Sequence, residues 1–278
     1  MEFISISKKH SLASSIAHIF LSILLVLVCW LSIYVTKTPF LAIVLILISK
    51  WRTFAVRPRY WVVNIKSNLV DLIFNLSMVL IIFYSGVEFW ASQIVLVLIF
   101  VAWMTIIKPR SGAFWTKTQA LLSIFFGLAG LMSVSFAWPT EIVAVFAFLI
   151  GYSSIRHILS DGEFANIEII SLIWGLIFAQ FIWIANFLVI GYPLILSGKF
   201  SLIIPQISIV ATILSFVVFE VLGEIRKEKI EKSNIYAPVI FSILICFFPI
   251  LDILLPNFTN YLTSNLISRC FLICHNTF

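Results

Sequence analysis

Apolar runs of about 18 residues or more recur along this chain, each long enough to cross a hydrocarbon core roughly 30 Å thick. Inside lipid the backbone must satisfy its own hydrogen bonds, which leaves helices or a closed barrel. The runs are continuous rather than alternating, so the prediction is an all-α, polytopic helical membrane bundle. Composition agrees: 62% of residues are hydrophobic and 11% charged, where soluble domains carry about 25% charge. The longest polar connection, residues 50–66, is too short to build a separate core. A single integral membrane domain over residues 1–278 is therefore expected.

About nine transmembrane helices are predicted, at 14–35, 38–56, 67–85, 90–107, 118–137, 141–159, 166–190, 201–222 and 237–255, with a short external tail at 256–278. Lys8 and Lys9 precede the first run as in a signal peptide. That run is longer than a signal core and lacks a small-x-small cleavage site, so a retained span is expected. The second span is the shortest. Only about ten apolar residues separate Pro39 from Lys50, and it crosses only if Lys50 and Arg52 snorkel to the interface.

Orientation follows from the basic residues. With the N-terminus inside, fifteen Lys and Arg fall on inner segments and only Lys37, Lys199 and Arg269 on outer ones. This positive-inside bias predicts N-terminus in and C-terminus out. It also makes anionic lipid headgroups the natural neighbours of a basic chain, with no nucleic acid implied. "ISKWR" at 48 and "IIKPR" at 106 each end a span on the inner side, and chance accounts for two such basic exits.

The segment "KWRTFAVRPRYWVVNIKSNLVDLIFNLS" concentrates the unusual features. Asn64, Asn68, Asp71 and Asn75 are spaced by four, three and four, which puts them on one helical stripe. Asp71 lies on the order of 8 Å deeper than Lys66, where a carboxylate needs protein, water or a partner beside it. His18, on a Ser-rich stripe of the first span, is a candidate donor to it. Two uses fit the seam. One is interhelical hydrogen bonding, worth about 0.6 kcal/mol per bond in lipid. The other is a polar cleft open to the cytoplasm, with Arg52, Arg57, Arg59 and Lys66 meeting headgroup or phosphate oxygens at its mouth.

Elsewhere the polar groups are sparse. Gln119, Gln180 and Asn186 are isolated amides suited to interhelical bonds. His157 and Asp161 stand four apart, but at a helix exit and its loop. Pro249 bends the ninth span near Asp252, close to the outer interface. Cys270, Cys274 and His275 are too few to form a structural zinc site. No HExxH, GxSxG, glycine-rich phosphate loop or aspartate-rich diphosphate motif is present. No catalytic residue, cofactor or metal is predicted.

Residues 50–77 resemble a segment of multi-pass membrane proteins from candidate-phylum bacteria such as Saccharibacteria. The resemblance implies a bacterial inner-membrane location, and it implies neither an activity nor residue roles. Three classes then remain. A carrier or lipid-handling protein would use the seam as a cleft for a small-molecule or lipid cargo. A non-catalytic subunit or assembly factor would use it to pack within a membrane-protein complex. A membrane enzyme would need a catalytic group that the chain does not display.

Overall fold

The computed structural model describes residues 2–55, 57–86, 90–135, 138–160, 166–188, 191–194, 202–225 and 239–240. The chain forms two compact units, Met1–Thr212 and Ile213–Phe278. The second is described only for the end of one helix and for residues 239–240.

The elements are overwhelmingly helical: α1 (Glu2–Thr36), α2 (Phe40–Ser49), α3 (Trp61–Tyr84), α4 (Trp90–Ala102), α5 (Ala113–Val134), α6 (Thr140–Leu159), α7 (Ile167–Ala185) and α8 (Gln206–Ile225). Among the described residues six stretches are long and apolar enough to cross a membrane, namely Ile16–Thr36, Pro58–Tyr84, Ala113–Val134, Thr140–Leu159, Ile167–Ala185 and Gln206–Glu224. The protein is a multi-pass helical membrane bundle.

The expected span at 38–56 is corrected. Its helix α2 has ten residues, about 15 Å of rise, half a hydrocarbon core. It folds back on α1, where the Cys29 thiol lies 3.9 Å from the Ala42 carbonyl. Irregular chain with one-turn helices at Trp51–Thr53 and Pro58–Tyr60 then leads into α3. Lys50 does not snorkel outward; its ammonium turns inward to Asp71. The fourth expected span keeps its bounds, with α4 running on into a π-helical turn over Trp103–Ile107. A further departure follows α7. An antiparallel ribbon pairs β1 (Gly191–Leu194) with β2 (Leu202–Pro205), so the start of the span expected at 201–222 is strand, and α8 begins only at Gln206. The 237–255 span, apart from residues 239–240, and the 256–278 tail lie outside the described residues.

Packing within the first unit centres on α3. One face of α3 joins α1, α2 and α4 around the buried Val26, Ile33, Ile46, Phe74, Met78 and Phe100. The Trp30 indole donates to Gln93 Oε1 at 2.9 Å, pinning α1 to α4. The other face meets α5, which runs parallel to α3. Ser123 Oγ donates to the Val70 carbonyl at 3.3 Å, and seven residues further along each helix Gly130 rests on Ser77. Helices α6 and α7 complete the row, with Gly151 against Phe178 and Gly175 against Phe148. Small residues at crossings let backbones approach where water gives no drive to association. Large apolar side chains such as Phe20, Leu98, Val145 and Leu176 point outward, as lipid-facing surfaces require.

Candidate functional site

The ends of α2, α4 and α6 and the beginnings of α3, α5 and α7 share one end of the first unit, tied together by the ion pairs and hydrogen bonds described below. In this region the chain brings together Lys50, Arg57, Arg59, Lys66, Lys108, Arg110, Lys117 and Arg156. Pro58 holds Arg57 extended, with φ −56° and ψ 137°, as a residue before proline prefers. Arg59 stacks over the Tyr60 ring at 4.6 Å, and the Trp61 indole donates to the Phe54 carbonyl at 3.1 Å. Arg57 and Arg59 are exposed on this folded loop. Arg52 lies in the turn Trp51–Thr53, and its side chain falls outside the described residues.

The seam divides into two halves. Asn64 donates to the Thr53 carbonyl at 3.4 Å, fastening the loop to α3. Asn68 is exposed and donates back to the Asn64 carbonyl at 2.8 Å. One and two turns further on, Asp71 and Asn75 enter the interior. Asp71 is the centre of the site. Its Oδ1 accepts from Trp103 Nε1 at 3.2 Å and from Asn75 Nδ2 at 3.2 Å. Its Oδ2 faces two ammonium groups, that of Lys50 and that of Lys108, the second at 2.8 Å. A carboxylate offers about four lone-pair sites, and here each oxygen has two donors.

Three elements build this node. Lys50 is the residue that closes α2, and Lys108 closes the π-helical turn through its backbone N–H to the Trp103 carbonyl at 2.9 Å. Pro109 follows Lys108 and has no N–H with which to continue the ladder. The wider turn also sets the Trp103 ring flat on Phe74, with centroids 3.8 Å apart and planes 10° from parallel. Below it, Gln119 of α5 donates to the Ile107 and Arg110 carbonyls at 2.8 and 3.0 Å, and its Oε1 meets His157 Nε2 at 2.8 Å. The Lys108 loop is thereby held from two sides.

The charge of the node is unequal: two cations share one carboxylate, leaving a surplus of one positive charge among these three side chains. Access is graded. The Asp71 and Lys50 side chains are 13% and 14% exposed, whereas Lys108 is 35% exposed. The surplus therefore has its open side at Lys108. Asn75 adds a second irregularity, since its Oδ1 is buried with no hydrogen-bond partner among the described residues.

His18 is not among Asp71's partners. It is exposed on α1, where Ser22 Oγ donates to its carbonyl at 2.9 Å within the same turn. Lys66 is also elsewhere, on a second cluster: it donates to Glu168 Oε2 at 3.0 Å, beside Tyr152 Oη at 2.7 Å and Arg156 Nε at 3.2 Å. The two lysines and Trp103 were missed from sequence. The signal existed in the paired helix exits "ISKWR" and "IIKPR", whose lysines meet on one carboxylate. His157 pairs with Gln119, while Asp161 lies outside the described residues, as do Asp252, Cys270, Cys274 and His275. Among the described residues no three His, Cys, Asp or Glu side chains gather as a metal site.

These features define a class: a polytopic helical membrane protein with an ionic node between helices that stop short. Comparison with protein-family models, with curated proteins and with solved structures finds no match to the chain.

Proposed function

We propose that this chain is a carrier or lipid-handling protein of a bacterial inner membrane, and that it works on an anionic small molecule or lipid through the Asp71 node. The basic end faces the cytoplasm and the N-terminus is inside. The observation that carries this reading is the convergence on Asp71 of Lys50, from the end of the short helix α2, and Lys108, from the π turn that closes α4. Broken helices beside ionisable groups within the membrane layer are how many carriers build a binding site. An interior cation in excess of its carboxylate is costly in lipid, and an anionic ligand entering past Lys108 would balance it. Arg57, Arg59 and Arg110 at the mouth would raise the local concentration of such a ligand.

A specific observation also favours a second reading. All four lone-pair sites of Asp71 are filled by protein donors, which suits a clamp that locks α2, α3 and α4 in a non-catalytic subunit or assembly factor. Reconstituted vesicles separate the two. The protein is placed in liposomes carrying fluorescently labelled phosphatidylglycerol in one leaflet, and in a parallel arm in liposomes loaded with radiolabelled inorganic phosphate. A carrier moves one of these probes, and Asp71→Asn and Lys108→Gln abolish that movement while the protein still accumulates. If neither probe moves faster than in empty vesicles, the subunit reading takes precedence.

A further inference from the structure

The face of α3 turned away from Asp71 borders a groove of about 240 Å³ between α3, α5 and α6. Its walls include Leu72 and Leu76 on α3 and Phe146 and Leu149 on α6, and its floor is Gly127 and Leu131 of α5. Gly127 matters to the shape, because a Cβ there would stand 3.1 Å from the Ile73 side chain and 3.4 Å from Ile150. Along α3 the groove runs from Leu69 to Leu80, about 16 Å, or roughly half of a 30 Å hydrocarbon core. That is the reach of one chain from one leaflet.

What stands at its basic end decides the occupant. Lys66 precedes Leu69 by one turn on the groove side of α3, and Arg156 follows Leu149 by two turns on α6. Both side chains converge on Glu168, with Tyr152 donating to the same carboxylate. Among these described residues two cations again face one carboxylate. Glu168 is 47% exposed and Lys66 33% exposed, so the surplus charge is open to the outside. An apolar slot one leaflet deep, headed by surplus positive charge at the membrane boundary, has the chemistry of an anionic phospholipid inverted.

We infer that this groove is a binding site for one acyl chain of an anionic phospholipid, whose phosphate meets Lys66 and Arg156. The inference goes beyond the Asp71 reading and does not depend on it, because the site lies on a different face of α3 and uses different residues. Binding here requires no transport.

The test uses the full-length protein purified from a mixture of phosphatidylglycerol and phosphatidylcholine with matched chains. Native mass spectrometry is expected to show retained phosphatidylglycerol in excess, on the order of tenfold. Lys66→Gln with Arg156→Gln should bring that preference close to parity, whereas Glu168→Gln should raise it. A phosphatidylglycerol bearing a photoreactive group in its chain should label residues within 69–80, 127–134 or 146–150. Leu149→Trp places an indole into the slot from an outward-facing position and should remove that labelling while the protein stays monodisperse. Equal retention of both lipids, labelling confined to other helices, or labelling that survives Leu149→Trp would each overturn the inference. So would a second copy of the chain cross-linked into the groove in place of lipid.

Discussion

At the scale of single residues, Asp71 is held by four donors, and its worth is separable from its use. Replacing Asp71 with Leu strands two lysines in a low-dielectric setting, so the loss of stability should be about 3–5 kcal/mol, read as a lowered unfolding midpoint in detergent. The combined variant Lys50→Met, Asp71→Leu, Lys108→Met removes the whole ionic group and leaves apolar volume. It should unfold close to the wild type or above it, because a buried ion pair rarely outweighs well-packed apolar side chains. If the triple variant is as unstable as Asp71→Leu, the lysines contribute through something besides their charge. A proposed carrier would lose activity in both variants, so stability and activity part company only in the triple. Asn75 gives a milder case. Asn75→Leu loses one bond to Asp71 and also deletes a buried acceptor that lacks a partner, a defect that costs about 1–3 kcal/mol. The two effects oppose each other, and thermal unfolding should move little.

At the scale of elements, the long helices were legible and the short ones were not. Continuous apolar runs announce helices such as α5, α6 and α7 within a few residues of their ends, because lipid permits little else. The same rule fails for α2. Its ten apolar residues satisfy half a crossing, and what completes the path is an irregular loop held by the Trp61 and Asn64 contacts to the Phe54 and Thr53 carbonyls, which no hydropathy window registers. The π turn that closes α4 is likewise silent in composition. Spacing put Asn64, Asn68, Asp71 and Asn75 on one stripe of α3, but only Asp71 and Asn75 turn inward. Asp71's partners were not legible, because Lys50 and Lys108 reach it from 21 and 37 positions away in the chain. Helix packing gives a prediction of its own. A methyl at Gly130 would meet Ser77 Cα at 2.9 Å, whereas one at Gly127 meets side chains alone, Ile73 at 3.1 Å and Ile150 at 3.4 Å. Backbone cannot yield as a side-chain methyl can. Gly130→Ala should therefore destabilise α3 against α5 by about 1–3 kcal/mol, and Gly127→Ala by clearly less, both read as unfolding midpoints. Equal effects would mean that α5 shifts bodily to accommodate either methyl.

At the scale of the whole molecule, charge and helix direction constrain each other. Among the described side chains of the first unit, basic residues gather where α3, α5 and α7 begin, while Lys37, in a left-handed turn with φ 51°, marks the connection between α1 and α2 at the opposite end. Alternating helix directions require residues 57 and 110 to lie on one side of the membrane and residue 37 on the other, whatever the orientation. The orientation proposed above puts residues 57 and 110 inside, on the rule that Lys and Arg in short loops are retained in the cytoplasm. Single cysteines at positions 37, 57 and 110, in a background with Cys29, Cys246, Cys270 and Cys274 replaced by Ser, convert both statements into one measurement. A membrane-impermeant maleimide applied to intact cells should label position 37 and spare 57 and 110, and labelling of the latter two should appear once inverted membranes are used. Labelling of 57 and 110 in intact cells with 37 spared would keep the helix directions and reverse the orientation, moving the Asp71 node's open side to the exterior. Labelling of 57 and 110 from opposite sides would break the helix order itself. That order is the firmer of the two statements, because it rests on Lys50 and Lys108 meeting the same carboxylate, which chain ends on opposite sides of a membrane could not do.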